Sequence, residues 1–133
     1  MLAYQNEIKK LNLPIDQYAV FGSGPMAIRN IRDSHDIDII VTDELWELLL
    51  KQYPENIHTH PPSIRIGNIE IFNQWIIGDM EYSINEIIEN KEVIDGISFA
   101  KLESVRTWKS QGYRKKDIED VQLIDKYLEN IKE

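Results

Sequence analysis

Cysteine is absent from the sequence, which excludes disulfides and metal sites built on thiolates, such as iron–sulfur centres. No apolar run approaches the roughly 20 residues of a membrane-spanning helix, and the first ten residues lack the apolar stretch of a signal peptide. Basic residues are also scarce: 15 Lys and Arg face 23 Asp and Glu, too few to coat nucleic acid or an anionic membrane. We therefore expect a cytoplasmic protein without a membrane partner.

The 133 residues suffice for one hydrophobic core, and no repeat or linker divides them, so we expect a single domain spanning residues 1–133. The net charge of −8 is unevenly distributed. Between Lys101 and Lys116, six basic residues accompany one acidic residue, a local charge of +5. This basic window either faces an anionic partner or is a solvated helix end, where cations complement the helix dipole.

Hydrophobic periodicity predicts an α+β fold of mixed α/β order. Runs rich in β-branched and aromatic residues at Tyr18–Phe21 and Ile37–Val41 are typical of buried strands. Helical spacing predicts a helix over 44–52 with Leu45, Leu48 and Leu49 directed inward. We expect further helices near 2–12, 25–31 and 83–90, further strands near 57–60, 63–66, 68–73, 93–94 and 97–98, and two C-terminal helices, the second with Ile118, Val121, Ile124, Leu128 and Ile131 on its apolar face. This order predicts a small mixed sheet flanked by helices.

Two aspartates, Asp36 and Asp38, stand two residues apart at the segment predicted to form the second strand. Side chains two apart in a strand share a face. Two carboxylates about 5 Å apart repel by about 3 kcal/mol at an effective dielectric near 20. A divalent cation would reverse that repulsion, and Mg²⁺ or Mn²⁺ prefers such oxygen ligands. The pair therefore predicts a metal site; the alternative is a solvated edge strand with two surface charges.

Glu70 and the Gly22-Ser23 pair complete a candidate site. Glu70 lies between apolar neighbours in a predicted strand, so it is either an ordinary exposed residue or a third carboxylate at the ion. Gly22 and Ser23 follow the first strand and precede a helix that Pro25 opens. Small residues there let backbone N–H groups approach phosphate oxygens, and the helix N-terminus adds positive potential. The combination predicts a site for a metal–nucleotide complex.

The motif spacing resembles that of the DNA polymerase β-like nucleotidyltransferase superfamily. Gly-Ser is followed, after twelve intervening residues, by Asp-x-Asp on an apolar strand. The string RDSHDID at 32–38 is similar to that of the small bacterial members. So is the C-terminal part, in which LESV at 102–105 leads to Lys109 and to RKKDIED at 114–120. The resemblance covers about residues 18–128.

This resemblance implies an enzyme that moves a nucleoside monophosphate from a nucleoside triphosphate (NTP) to an acceptor hydroxyl and releases pyrophosphate. By position, Gly22 and Ser23 would hold the β- and γ-phosphates. Asp36 and Asp38 would bind Mg²⁺, with Mn²⁺ as a possible substitute. Glu70, where the family more often has Asp, would bind a second ion or deprotonate the acceptor. Two such ions would stabilise the attacking and leaving oxygens.

Basic residues are the other part of the implied site. Arg32, Lys109 and Lys116, together with Arg114, would contact the triphosphate or the acceptor. The acceptor itself is open among a small molecule, a protein hydroxyl and an RNA end, since similar proteins include antibiotic-modifying enzymes and toxin components of toxin–antitoxin pairs. The alternative is a catalytically inactive nucleotide-binding or partner-binding module on the same fold, which would act as a homo-oligomer or with a protein partner.

Other motifs compete for the same residues. The string GSGPMA at 22–27, with Asp43 about twenty residues further on, mimics a dinucleotide-binding turn. In that fold the next strand should be apolar, whereas here it carries two aspartates. A Walker phosphate loop is excluded because no Gly-Lys-Ser/Thr follows. His58 and His60 share a strand face and have zinc-ligand chemistry, but no third ligand is evident.

Overall fold

A mixed β-sheet is the centre of the fold. The computed structural model describes residues 5–77, 80–112 and 114–132. The strands are β1 Tyr18–Phe21, β2 Ile37–Val41, β3 Ile57–His58, β4 Ser63–Ile66, β5 Ile69–Phe72, β6 Ile76–Ile77, β7 Met80–Glu81, β8 Glu92–Ile94 and β9 Ile97–Phe99. Seven of these described strands form one sheet in the order β3-β4-β5-β2-β1-β9-β8, and β6 pairs with β7 separately. β2 is antiparallel to β1 and parallel to β5, which brings the end of β1 beside the beginnings of β2 and β5.

Six helices lie within the described residues. They are α1 Gln5–Lys10, α2 Gly24–Ala27, α3 Asp43–Gln52, α4 Ile84–Glu89, α5 Leu102–Ser110 and α6 Lys115–Lys132, with a 3-10 turn at Pro54–Asn56. Thr42 caps α3 because its Oγ1 accepts a hydrogen bond of 3.3 Å from the Leu45 N–H. The β8–β9 turn has positive φ at Asp95 and Gly96, as an Asp-Gly hairpin requires.

Each face of the sheet packs against helices and forms its own hydrophobic core. The first core contains Ile39 and Ile71 from the strands and packs against α1 and α3. The second core contains Phe21 and Ile40 from the opposite face and packs against α2, α4, α5 and α6. Because side chains alternate along a strand, Asp38 in β2 points to the second face. The second face therefore carries both apolar packing and the candidate site.

Some sequence predictions were wrong in detail. Helix α2 ends at Ala27 instead of near Ile31, so it is a single turn. Leu48 is 57% exposed, because α3 buries Leu45 and Leu49, as expected, but takes Trp46 as its third inward residue. The β6–β7 hairpin was not predicted.

Helix α6 also differs from its prediction. Ile124 is fully buried, but Ile118 and Ile131 are 53% and 62% exposed. The inward positions at the start of α6 are occupied by Asp117 and Asp120, and this rotates Ile118 towards solvent. The α+β class with a mixed sheet and two C-terminal helices is nevertheless confirmed. Within the described ranges, no helix has the length and apolarity needed to cross a membrane.

Candidate active site

A cavity of about 510 Å³ lies where the end of β1 meets the beginnings of β2 and β5. Residues of α5, of the α5–α6 connection and of the first turn of α6 also line it. All eight candidate residues line it: Gly22, Ser23, Arg32, Asp36, Asp38, Glu70, Lys109 and Lys116. Residues separated by up to 94 positions in the sequence are thus brought to one cavity by the strand order.

Strand register sets the positions of the carboxylates. Asp38 in β2 is the direct neighbour of Glu70 in the parallel strand β5. Asp36 is exposed and lies one residue before β2, so the prediction that both aspartates belong to the strand holds only for Asp38. Both still line the same cavity.

Burial and electrostatic repulsion both disfavour the charged form of Asp38. Burial raises the pKa of Asp38 to about 6, with further contributions from the negative charges of Glu70 and Asp36. The cation of Lys109 acts in the opposite direction but does not compensate. At neutral pH the site therefore holds a carboxylate whose charge is unfavourable unless a cation joins it.

Glu70 is held by two donors that the sequence analysis missed. The Ser63 hydroxyl donates a hydrogen bond of 2.7 Å to Glu70 Oε2, and Arg65 Nε donates one of 3.0 Å to the same oxygen. Arg65 is the cross-strand neighbour of Glu70 in β4. The register of the antiparallel pair β4–β5 places these two side chains together, and no local sequence motif predicts that register. The exposed His35 and the ring of Trp108 are further lining residues that were missed.

Gly22 fits against the carboxylate of Asp38. Its φ is +62°, a left-handed conformation that glycine adopts without cost. A Cβ at this position would lie 2.7 Å from Asp38 Oδ2, closer than van der Waals contact allows. The sequence predicted a phosphate cradle here; the structure adds that Gly22 also makes room for Asp38.

Ser23 is linked to Asp36 through a buried hydroxyl. Ser34 donates a hydrogen bond of 2.7 Å to the backbone oxygen of Asp36, so its oxygen accepts from the Ser23 hydroxyl at 2.7 Å. This relay fixes the backbone of Asp36 relative to the turn after β1. Ser34 belongs to the 32–38 string, so its spacing was a signal that could have been read.

Two of the predicted nucleotide-binding cations are bound to a buried carboxylate. Lys109 is 3% exposed and its Nζ lies 2.8 Å from Asp120. Arg32 binds the same carboxylate with two hydrogen bonds, of 2.7 and 3.0 Å. Burial favours a raised pKa for Asp120, but the hydrogen bonds from Arg32 and Lys109 outweigh it, so the pKa is lowered. Burial lowers the pKa of Lys109 despite its partner.

The basic window from Lys101 to Lys116 is largely neutralised by α6. Arg114 makes two hydrogen bonds of 2.9 Å to Asp117, and Arg106 and Lys115 also face carboxylates of this helix. Among the described residues, Lys116 is a cavity-lining cation without an ion pair. The window is therefore partly structural.

The structure favours the carboxylate site over the competing motifs. β2 is antiparallel to β1, whereas a dinucleotide-binding turn connects parallel strands. Within the described ranges, no three His, Asp or Glu side chains are already gathered as a metal cluster. His58 and His60 therefore have no third ligand there, and the three carboxylates of the cavity are not drawn together around a point.

Comparison with known proteins supports the fold. No family model matches the chain, and no curated protein sequence matches it. A solved structure from Thermotoga maritima, named "putative nucleotidyltransferase", is similar with a TM-score of 0.57 and 17% sequence identity. The alignment covers 98% of this chain and 96% of that one. The chain thus has a nucleotidyltransferase-like α+β fold over nearly its whole length.

Proposed function

We propose that this protein is a Mg²⁺-dependent nucleotidyltransferase. The observation that carries the proposal is the pairing of Asp38 with Glu70 on neighbouring strands, with Asp36 beside them and the Gly22–Ser23 turn at the same cavity. The nucleotidyltransferase-like fold supports it. In this account the cavity takes an NTP, and a hydroxyl of an acceptor receives the nucleoside monophosphate.

The donor set fits a hard divalent cation. Asp36 and Asp38 would hold it, because carboxylate oxygens are the ligands that Mg²⁺ shares with substrate phosphates. Burial and the neighbouring carboxylates raise the pKa of Asp38, so a cation at this site would stabilise its charged form. When bound, the ion supplies neutralisation of the triphosphate and polarisation of the reacting phosphoryl group.

The residues of the chain divide the remaining work. The acceptor oxygen forms a bond to the α-phosphorus as the bond from that phosphorus to the bridging oxygen breaks, and pyrophosphate leaves with the bonding electron pair. Glu70 takes the hydroxyl proton and passes it to solvent; both of its hydrogen bonds from Ser63 and Arg65 go to Oε2. Gly22 and Ser23 hold the leaving phosphates, and Lys116 adds positive charge there.

Transfer of labelled nucleotide tests the proposal. The protein is incubated with each α-labelled NTP, Mg²⁺ and cell extract, and we expect label to appear on an acceptor. Asp38→Asn should lower the rate by about 100-fold or more because it removes a charged ligand of the ion that would stabilise the reacting phosphate. The matched control is Asp16→Asn, at a carboxylate that is 83% exposed and outside the cavity. No transfer from any NTP, or equal transfer by Asp38→Asn, would contradict the proposal.

An inactive nucleotide-binding or partner-binding module is the second candidate. The binding of Arg32 and Lys109 to Asp120 favours it, since two cations expected at the nucleotide already have a partner. This candidate predicts NTP binding by calorimetry without pyrophosphate release. Release that depends on Asp36 would exclude it.

A further inference from the structure

An apolar groove adjoins the candidate active site on the same face of the sheet. It has a volume of about 220 Å³ and is lined by Pro61, Pro62, Phe72, Gln74, Trp75 and Ile76. Phe72 follows Glu70 by two residues in β5, so their side chains share a face with Cα atoms about 7 Å apart. Pro62 directly precedes Ser63, whose hydroxyl binds Glu70. The groove thus begins next to the third carboxylate.

Aromatic rings form a shared wall between the groove and the cavity. Trp75 lies in the groove, with its ring centroid 5.4 Å from Phe72 and 5.0 Å from Trp108. Trp108 in turn lines the carboxylate cavity. The groove and the cavity are therefore neighbours that meet at the contact between these two rings.

The order of the strands places this groove on the acceptor's side of the site. Gly22 and Ser23 follow β1, Asp38 lies in β2 and Glu70 in β5, with β4 beyond. If the leaving phosphates lie at the β1 end, in-line displacement brings the acceptor from the opposite side. That side is β5 and β4, where Phe72 lies and Pro62 leads into the strand.

The residues that line the groove indicate which chemical group it can bind. None of the six lining residues carries a charge, and Gln74 is the polar one among them. Proline and aromatic rings present flat apolar surfaces on which a ring stacks. An RNA end would need Lys or Arg for its phosphates, and the described residues that line the groove include neither.

We propose that this groove is the acceptor subsite and binds a neutral aromatic group that adjoins the hydroxyl to be modified. The proposal rests on the nucleotidyltransferase function and adds the chemical class of its acceptor. Trp75 and Phe72 select the ring, and Glu70 beside them faces the hydroxyl that the ring carries.

The experiment compares benzyl alcohol with its saturated analogue cyclohexylmethanol as acceptors, with product measured by mass spectrometry. We expect kcat/KM to favour the aromatic alcohol by about tenfold, as stacking of roughly 1.4 kcal/mol would give. Ile76→Lys places a charge in the groove, and Phe72→Leu removes a ring while keeping apolar volume. Both should abolish the preference by raising the acceptor KM while leaving the KM for NTP unchanged. Ile57→Lys is the control, at an exposed strand isoleucine outside the groove.

Other outcomes distinguish an error in the proposed acceptor subsite from an error in the proposed function. Transfer without aromatic preference, or an equal effect of Ile57→Lys, would overturn the subsite alone. Better transfer to a short RNA, increased by Ile76→Lys, would also overturn it and indicate a nucleic-acid acceptor. Binding of benzyl alcohol is followed independently by the NMR shift of the Trp75 indole N–H. A shift there without any nucleotide transfer would contradict the proposed function, and with it the acceptor role.

Discussion

Some residues of the candidate site have charges or backbone conformations that reduce the stability of the fold. Asp38 lies at the face of the second core, next to Glu70 and near Asp36, and burial, followed by these neighbours, raises its pKa to about 6. Gly22 keeps a left-handed conformation and leaves room for that same carboxylate. Such an unfavourable arrangement is typical of functional sites, where stability and activity compete.

Asp38→Asn should stabilise the protein in a pH-dependent manner when metal is chelated. Because the folded pKa of Asp38 is above its ordinary value, the folded state favours the protonated form. The wild-type protein therefore loses stability as the pH rises from about 4 through 6. Thermal or urea unfolding should show Asp38→Asn to be more stable by about 2–3 kcal/mol at pH 8 and by almost nothing near pH 4. A constant difference at both pH values, or one reproduced by Asp16→Asn, would show that this account of Asp38 is wrong.

Gly22→Ala should impair the site more than a glycine substitution elsewhere. Its methyl group would meet Asp38 Oδ2 in addition to straining the backbone. Gly96→Ala is the matched control, because Gly96 also has positive φ, +75°, but open space around its Cβ position. Both variants should lose about 1–2 kcal/mol in urea unfolding from backbone strain. Only Gly22→Ala should also lose NTP binding by calorimetry; equal binding by the two would contradict the contact with Asp38.

At the scale of elements, one buried carboxylate ties the loop before β2 to the two C-terminal helices. Asp120 of α6 binds Lys109 of α5 and Arg32, which lies four residues before Asp36. Its side chain is 2% exposed, so the two cations are its compensation for lost solvent. The C-terminal helices thereby help to position the segment that carries Asp36.

Asp120→Asn should therefore destabilise the fold strongly. It leaves Lys109 buried with only the more distant carboxylate of Asp117, 3.9 Å from its Nζ. Loss of one member of a buried pair costs about 3–5 kcal/mol. Asp125→Asn is the control on the same helix, since its pair with Arg106 has both side chains more than 40% exposed and should contribute at most about 1 kcal/mol. Urea unfolding compares the two, and equal losses would show that the buried link is not special.

Local patterns in the sequence predicted β1 and β2, because β-branched runs are properties of neighbouring positions. Motif spacing, together with the family resemblance, singled out the eight residues that line the cavity. It did not predict Arg65 as the partner of Glu70, because that contact depends on strand register. Nor did it predict that Lys109 would be buried, because its compensating Asp120 comes from another helix.

At the scale of the whole molecule, the net charge of −8 is explained by where the charged residues lie and which of them are paired. The +5 window at Lys101–Lys116 is mostly paired with carboxylates of α6, so it does not form a broad basic surface. Within the described residues, this window therefore leaves few unpaired cations. In the cavity, by contrast, the charge of the Asp38 carboxylate is not compensated by a nearby cation.

A crystal structure with Mn²⁺ and a non-hydrolysable NTP tests the central claim most directly. We predict an anomalous peak bound by Asp36 and Asp38, with the β- and γ-phosphates against Gly22 and Ser23. The same soak of Asp38→Asn should lose the peak. A nucleotide bound elsewhere, or an empty cavity at saturating Mn²⁺ and NTP, would contradict the assignment of this cavity as the active site.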